Sequence, residues 1–279
     1  MDKKIGKKIG KKIGQKIGFI GLGKMASAIL SGILESQFTT ASHVYGTEVD
    51  EKTAQTVEER TKITILDSNP ELAKEADIII ICTKPWVVKE VLEAIKPELN
   101  SQKTIISIAA GISIKTIEDI IGKIPVIRVM PNTPALVGEA MSVIAKGQFV
   151  KEEDVSYIVQ MFANIGLAVE IDEKNIDAVT ALSGSGPAFY YYIIDEMAKA
   201  AAKLGLDYRH ALMLSAQTAL GAGKMILNSD ENPETLIKAV TTPGGCTEVG
   251  NNILAQSCIN TILNEVILKT AQKAKALGT

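Results

Sequence analysis

Residues 16–26 read KIGFIGLGKMA, and this segment decides the fold of the chain. The apolar run at residues 17–20 predicts a buried strand, and the residues after the glycines have helical composition. Between them, Gly21 allows a tight turn, Gly23 lets a pyrophosphate approach the backbone, and Ala26 lets the helix pack closely on the strand. The first amides of the helix would then face the phosphates. A strand, a glycine turn and a helix start in this order predict a dinucleotide-binding site.

The composition of the 279 residues limits the classes of protein to consider. With 46% hydrophobic residues the chain can bury a substantial core, in one large or two ordinary domains. Its formal net charge of −2 gives no reason to expect nucleic acid or an anionic membrane as a partner. No apolar run in the sequence approaches the about 18 residues that cross a bilayer. The three cysteines lie far apart without CxxC spacing, which indicates neither a metal site nor a disulfide framework and favours the cytoplasm.

A lysine-rich repeat precedes the glycine segment. The sequence KKIG occurs at residues 3–6, 7–10 and 11–14, and a fourth, imperfect copy leads into the predicted strand. The repeat lacks the apolar core of a signal peptide. We expect residues 1–15 to be a basic, solvated and disordered extension, with an anchor for anionic surfaces as the alternative.

Strand and helix patterns alternate as far as residue 171. Runs such as residues 77–82 are apolar and β-branched, as strands covered on both faces are. The alternation predicts an α/β fold with a Rossmann-type, doubly wound parallel sheet over residues 16–171. Strand patterns then disappear, and residues 172–279 are predicted to form an all-helical dimerisation and substrate domain. Residues 211–226 are apolar on nearly every helix face, which favours burial in a homodimer over burial within one subunit.

Two charged residues follow predicted strands, where open α/β sheets bind their ligands. Glu48 lies 25 residues past Gly23, near the spacing of about 20 at which such folds place an acid, so its carboxylate can accept hydrogen bonds from both hydroxyls of the adenosine ribose. A carboxylate there would repel a 2′-phosphate, which favours NADH over NADPH; the alternative is an ordinary solvated acid. Lys84 follows the strand at residues 77–82 and is predicted to contact the cofactor, with a surface lysine as the alternative.

A second glycine motif, TTPGGCTE at residues 241–248, precedes a long helical stretch. Glycines followed by hydroxyl residues at a helix start form an anion cradle of backbone amides. The amides of residues 244–247 would suit the carboxylate of a substrate, and Thr247 can donate or accept a hydrogen bond beside it. Cys246 is predicted to be a packing residue and not a nucleophile, since neither histidine is near it in sequence.

Six segments resemble, in order and spacing, those of the pyrroline-5-carboxylate reductase family, and they extend over the chain from residue 16 onward. They are residues 17–26, 83–85, 107–111, 130–134, 182–188 and 242–247. The resemblance implies a Rossmann domain, an all-α dimerisation domain with swapped helices, and an active site between subunits. The implied reaction is hydride transfer from NADPH or NADH to the imine of 1-pyrroline-5-carboxylate, giving L-proline in the last step of proline biosynthesis.

The resemblance also implies site residues. Thr247 would be the catalytic residue and would orient the ring nitrogen by a hydrogen bond. Cys246 and Thr247 would contact the substrate, and the amides of Gly244 and Gly245 would complete its cradle. Contact with the cofactor would come from Ile20, Gly21, Leu22, Gly23, Lys24, Met25, Asn69, Cys82, Thr83, Lys84, Pro85, Ala109, Ala110 and Gly111.

Three features depart from the family pattern. Glu248 and residues 250–252 stand where the family has an apolar residue and a helix of small residues. Glu48 stands where many relatives carry a polar or basic residue, and the lysine repeat has no family counterpart. The alternatives are a reductase of a related cyclic imine, a 3-hydroxyacid dehydrogenase that uses Lys174 or Lys199, and a nucleotide sensor without catalysis.

Overall fold

The computed structural model describes residues 14–277. The first 13 residues, which carry most of the extension predicted to be disordered, lie outside the described residues. The described residues form two compact units, one of residues 14–185 with residues 270–277 and the other of residues 186–269. Within residues 14–277, the helices lack the combination of length and hydropathy that a bilayer span needs.

An eight-stranded sheet organises the first unit. Its strands are β1 (Ile17–Ile20), β2 (Val44–Thr47), β3 (Thr64–Ile65), β4 (Ile78–Ile81), β5 (Thr104–Ser107), β6 (Val126–Met130), β7 (Ala140–Lys146) and β8 (Gly166–Glu170). Their order in the sheet is β3-β2-β1-β4-β5-β6-β7-β8. The chain winds in one direction from β1 to β3 and in the other from β4 onward, so the two halves diverge at β1 and β4, where such sheets bind ligands. The predicted Rossmann-type, doubly wound sheet is confirmed.

The prediction that all strands are parallel is wrong at one end of the sheet. The pairs from β3 to β6 are parallel, but β7 is antiparallel to β6, and β8 runs parallel to β7. The reason is the short link between β6 and β7, which holds a single 3-10 turn at Thr133–Val137. A parallel neighbour needs a crossover of about a dozen residues, usually with an α-helix, so this link returns the chain in the opposite direction.

Helices cover both faces of the sheet. They are α1 (Lys24–Glu35), α2 (Glu51–Thr61), α3 (Asn69–Glu75), α4 (Val88–Ile95), α5 (Ile114–Ile121), α6 (Glu152–Phe162) and α7 (Ile176–Val179). Ile78 and Ile80 of β4 belong to one core with α1 and α6, whereas Ile79 and Ile81 belong to a second core with α3, α4 and α5. All four isoleucines are buried, and each contributes about 1.5–3 kcal/mol to stability. β4 therefore joins the two cores.

Helices make up the rest of the described chain, from residue 186 to residue 277. The helices are α8 (Gly186–Ala202), α9 (Tyr208–Asn228), α10 (Pro233–Ala239), α11 (Cys246–Gln256) and α12 (Ile259–Leu277). A π-helical turn, Thr180–Gly184, precedes α8. Asp207 caps α9 by accepting a hydrogen bond from the amide of His210 at 3.1 Å.

Large apolar side chains of α8 and α9 are exposed in the single chain. They include Tyr190, Tyr191, Tyr192, Met213, Leu214, Met225 and Leu227. Exposed apolar surface of this extent is typical of an interaction site. The surface suits the predicted burial of residues 211–226 against a second chain, which stays a prediction.

Candidate active site

The turn between β1 and α1 depends on Gly21. Its φ is +88°, a conformation that side chains rarely adopt, and a Cβ would stand 3.3 Å from the carbonyl carbon and oxygen of Cys82. The Gly21 amide donates to the carbonyl oxygen of Thr47 at 2.9 Å, and the Cys82 amide donates to that of Ile20 at 2.8 Å. Glycine at position 21 is therefore required by the fold, because it lets the ends of β1, β2 and β4 meet.

Gly23 is not required by the fold in this way. Its φ of −62° and ψ of −175° are open to any residue, and a Cβ would meet no atom of the described chain within 4 Å. Gly23 is the N-cap of α1, so this space adjoins the first helix amides, where the helix dipole favours an anion. The space that Gly23 leaves open fits a pyrophosphate group.

A cleft of about 460 Å³ opens beside the turn, at the carboxyl ends of β1, β2, β3 and β4. Several predicted cofactor residues line it: Ile20, Gly21, Gly23, Glu48, Asn69, Cys82, Thr83 and Lys84. The other predicted cofactor residues are not among the described lining residues: Leu22, Lys24, Met25, Pro85, Ala109, Ala110 and Gly111. The last three follow β5, the strand beside β4. The cleft thus brings together the residues of the glycine turn and of the three neighbouring strand ends.

The cleft is also lined by residues that were not predicted to bind the cofactor. They are Thr47, Val49, Leu66, Asp67, Ser68, Val87 and Val91. Residues 66–68 directly follow β3, and the rule that ligands lie beyond strand ends would have found them. Val87 and Val91 add apolar surface at the beginning of α4, which becomes visible only when that helix is packed on the sheet.

Three backbone amides hold the carboxylate of Glu48. Its Oε2 accepts a hydrogen bond from the amide of Leu22 at 2.7 Å. Its Oε1 accepts from the amides of Val49 at 2.8 Å and Asp50 at 3.2 Å. Hydrogen bonds to an ionised acceptor are stronger than neutral ones. The carboxylate is therefore fixed between the glycine turn and the beginning of α2.

Two further polar side chains of the cleft suit a bound ligand. The hydroxyl of Thr47 donates to Oδ1 of Asn69 at 2.6 Å, which orients the amide group of Asn69. Oγ1 of Thr83 is buried and has no hydrogen-bond partner among the described residues. A buried hydroxyl without a partner is unfavourable, so a ligand that pairs with Thr83 gains from it. Together with the space at Gly23, these groups fit a dinucleotide.

Burial raises the pKa of the Cys82 thiol well above its usual range, although the residue as a whole is only half-buried. Because the thiolate is the reactive form, we expect iodoacetamide at neutral pH to modify Cys82 at least about ten times more slowly in the folded than in the urea-unfolded protein. Mass spectrometry of tryptic peptides measures both rates. Equal rates in the two states would contradict a shielded, protonated thiol.

The second glycine motif opens α11. Gly244 has a φ of +74°, and Gly245 is the N-cap of the helix. Cys246 and Thr247 are the first two residues of α11, and both are exposed. Amides in the first turn of a helix have no acceptor within the helix, so they suit the predicted cradle for a carboxylate.

Residues that depart from the family pattern tie this motif to α11. Oε2 of Glu248 accepts a hydrogen bond from the amide of Gly244 at 2.8 Å. Nδ2 of Asn251 donates to Oγ1 of Thr241 at 2.8 Å. The side chains of Glu248 and Asn251 therefore hold the loop in place.

The same contacts reduce the number of amides that are available to the predicted cradle. The Gly244 amide has Glu248 as its acceptor, and the Gly245 amide donates to the carbonyl oxygen of Thr242 at 2.9 Å. The amides of Cys246 and Thr247 are the ones left for a substrate carboxylate.

Asn132 connects two of the six family-like segments. Its Nδ2 donates to the carbonyl oxygen of Ser183 at 3.0 Å, and its Oδ1 accepts from the amide of Met141 at 2.9 Å. The side chain is buried, so both hydrogen bonds are shielded from water. Asn132 thereby fixes the π-helical turn against the loop that follows β6.

Comparisons with known proteins agree with the sequence resemblance. The family model described as pyrroline-5-carboxylate reductase dimerisation matches residues 173–277, and the model described as NADP oxidoreductase coenzyme F420-dependent matches residues 16–111. A pyrroline-5-carboxylate reductase of Methanosarcina acetivorans is 39% identical over 262 residues, which cover 94% of this chain and 97% of the relative. The chain belongs to the pyrroline-5-carboxylate reductase family.

Solved structures of pyrroline-5-carboxylate reductases share the fold over nearly their full length. The enzyme from Coxiella burnetii matches with a TM-score of 0.92 at 28% identity, covering 95% of this chain and 99% of that one. The Plasmodium falciparum pyrroline carboxylate reductase, solved with NADP bound, matches with a TM-score of 0.83 at 33% identity, covering 95% and 98%. The resemblance drawn from six short segments is therefore confirmed.

The family comparison also bears on the helical part of the chain. The pyrroline-5-carboxylate reductase dimerisation model begins at residue 173, two residues after the last residue of the predicted Rossmann domain. It includes α8 and α9, which expose their apolar side chains in the single chain. Oligomerisation is therefore a property of this part of the reductase.

Proposed function

We propose that this chain reduces 1-pyrroline-5-carboxylate to L-proline with NADPH or NADH as the hydride donor, in the last step of proline biosynthesis. Membership in the pyrroline-5-carboxylate reductase family supports the reaction. The observation that carries cofactor use is the open space at Gly23, at the beginning of α1. The nicotinamide cofactor supplies, when bound, the hydride for the imine carbon.

In this proposal the cleft residues bind and orient the cofactor. The amides of Gly23, Lys24 and Met25 hold the pyrophosphate, since the Gly21 and Leu22 amides already donate to Thr47 and Glu48. Glu48 accepts a hydrogen bond from the adenosine ribose. The hydroxyl of Thr83 and the amide of Asn69 supply further hydrogen bonds. The bound cofactor is proposed to extend beyond the cleft. There it would contact Lys24, Met25, Pro85, Ala109, Ala110 and Gly111.

The beginning of α11 is the proposed substrate site. The amides of Cys246 and Thr247 hold the carboxylate, and the Thr247 hydroxyl hydrogen-bonds the ring nitrogen. A cyclic imine is basic enough to take its proton from water, so the site needs orientation more than a strong acid. Holding the reacting groups in one orientation supplies much of the rate enhancement in such a reaction.

A homodimer is the proposed minimal assembly, with a higher homo-oligomer built from it as an option. The exposed apolar side chains of α8 and α9 support a partner of the same chain, since a dimerisation model covers them. The proposed compartment is the cytoplasm, in keeping with three cysteines that lack paired spacing.

The assay for this function follows NADH and NADPH oxidation with racemic 1-pyrroline-5-carboxylate and identifies L-proline by chiral chromatography. The expected result is turnover with at least one cofactor. Comparison substrates are a six-membered cyclic imine and a 3-hydroxyacid with NAD⁺. Faster turnover of the six-membered imine or of the 3-hydroxyacid would identify that compound as the better substrate and contradict the proposal. Cofactor binding without turnover of any of the three substrates would indicate a nucleotide sensor.

Glu248 gives a prediction for the substrate site. Its carboxylate lies beside the amides proposed to bind an anionic substrate, so Glu248→Gln should lower KM for the pyrroline by about fivefold or less, the effect of removing a like charge about 4 Å away in water. The glutamine retains an acceptor for the Gly244 amide, so kcat should stay the same. The decrease should shrink at high salt.

The matched control is Glu234→Gln, which removes an exposed carboxylate of α10 and should leave KM unchanged. A KM in Glu248→Gln that equals or exceeds the wild-type value at low salt would contradict the proposed position of the substrate carboxylate.

A further inference from the structure

We infer that Glu48 makes NADH the preferred cofactor of this chain, an inference that rests on the proposed function. The family fold alone leaves the choice open, because the Plasmodium falciparum relative was solved with NADP bound. NADH and NADPH differ only by a phosphate on the 2′-hydroxyl of the adenosine ribose. The choice therefore depends on the side chains at the carboxyl end of β2, where that ribose binds in a Rossmann-type sheet.

The hydrogen bonds of Glu48 determine what it can accept from a ligand. A carboxylate has about four lone-pair positions. Oε1 uses two of them for the amides of Val49 and Asp50, and Oε2 uses one for the amide of Leu22. Oε2 therefore has capacity for one ribose hydroxyl, where the sequence had predicted acceptance from both hydroxyls.

The same three amides keep the carboxylate from moving away. A flexible surface glutamate could rotate out of contact with a 2′-phosphate, but Glu48 would lose three charge-assisted hydrogen bonds by doing so. Its side chain is half-buried and lines the cleft. A 2′-phosphate would therefore meet a fixed negative charge.

The other charges of the cleft do not compensate for this repulsion. The charged residues that line it are Glu48, Asp67 and Lys84. Asp67 follows β3, the neighbour of β2, and adds a second acid on that side. Lys84 follows β4, which lies two strands from β2, or about 10 Å at the usual strand spacing. The lining cation thus belongs to a strand end two strands away from the one that would face a 2′-phosphate.

The residues after Glu48 strengthen the negative charge. Asp50 caps α2 by accepting hydrogen bonds from the amide of Thr53 at 2.8 Å and from its hydroxyl at 2.5 Å. These contacts hold the pKa of the Asp50 carboxyl below its usual value, so it is ionised at neutral pH. Glu51, the first residue of α2, adds a further exposed acid, and the exposed Lys52 beside it adds one positive charge, so residues 48–52 keep a net charge of −2. NADPH recognition at this strand end would need the opposite charge.

Titration calorimetry of NADH and NADPH against the full-length protein, without substrate, tests the inference. Wild type should bind NADH at least about tenfold more tightly than NADPH, as expected for a like charge at a short distance. Glu48→Gln removes the charge and keeps a single acceptor oxygen, which can serve the Leu22 amide or the amides of Val49 and Asp50 but not both sides. It should reduce the preference by about tenfold or more, mainly through tighter NADPH binding.

The control variant is Glu51→Gln, which removes an equal charge three residues away and should leave the preference within about twofold of wild type. Wild type that binds NADPH as tightly as NADH would overturn the inference, and so would an unchanged preference in Glu48→Gln. If Glu48→Gln does not fold, wild type is titrated with ADP-ribose and with 2′-phospho-ADP-ribose. The inference predicts tighter binding of ADP-ribose, and equal affinities would overturn it. A clear NADH preference without turnover on the pyrroline would leave the inference standing and remove the proposed function.

Discussion

Replacing Gly23 by alanine should strongly weaken the affinity for NADH while the protein stays folded. The new Cβ meets no atom of the described chain within 4 Å, and the backbone is in an ordinary extended conformation, so the fold accepts it. Alanine is a poorer N-cap than glycine, a loss of about 1 kcal/mol at most. The methyl group occupies the space where the pyrophosphate meets the helix amides. Losing one or two hydrogen bonds to a charged group should weaken NADH binding by about a hundredfold.

Gly21→Ala is the matched control for this prediction. There the change forces a side chain into a φ of +88° and 3.3 Å from the Cys82 carbonyl, so it should lower the free energy of unfolding by about 1–3 kcal/mol. Thermal unfolding and NADH calorimetry of both variants separate the two effects. Wild-type affinity in Gly23→Ala would contradict the position assigned to the pyrophosphate.

Replacing Thr247 by alanine should lower kcat by about a hundredfold, the usual effect of removing one oriented hydrogen bond from a reacting group. The hydroxyl is proposed to hold the ring nitrogen of the substrate, so its loss leaves the imine free to rotate away from the hydride donor. KM should rise much less than kcat falls, because the amides of Cys246 and Thr247 still hold the carboxylate. Thr247→Ser retains the hydroxyl and should recover most of the activity.

Cofactor affinity and thermal stability serve as controls for Thr247. The side chain is exposed in the single chain, so Thr247→Ala should change the free energy of unfolding by no more than about 0.5 kcal/mol. NADH affinity should equal that of wild type. Steady-state constants that match wild type would remove Thr247 from the catalytic role, and an equal loss in Thr247→Ser would indicate a steric effect instead.

The sequence predicted those parts of the fold that local patterns determine. The apolar, β-branched run at Ile78–Ile81 is a strand buried on both faces, and Gly21 is at the turn that needs its positive φ. The direction of β7 could have been predicted from its link, because residues 131–139 are too few for the crossover that a parallel neighbour needs. The strand's own residues carry no information on its direction.

The candidate site shows the same division. Glu48 could be found from its spacing to the glycines, but its three amide donors come from backbone geometry that a sequence does not display. Likewise, Glu248 was recognisable as a departure from the family. Its hydrogen bond to the Gly244 amide depends on the folded loop and could not be read from the sequence. Residues 66–68 were the avoidable omission, since they follow β3 at the same end of the sheet as Glu48.

The hydrogen bond between Glu48 and the Leu22 amide also limits how this enzyme can diverge. The Glu48 side chain determines the cofactor preference and also stabilises the glycine turn that binds the phosphates. A mutation at position 48 therefore changes both properties at once. A lineage that moved towards NADPH through a side chain lacking an acceptor would weaken its phosphate turn at the same step. Descendants are therefore expected to change cofactor through glutamine, or only after another residue has come to accept the Leu22 amide.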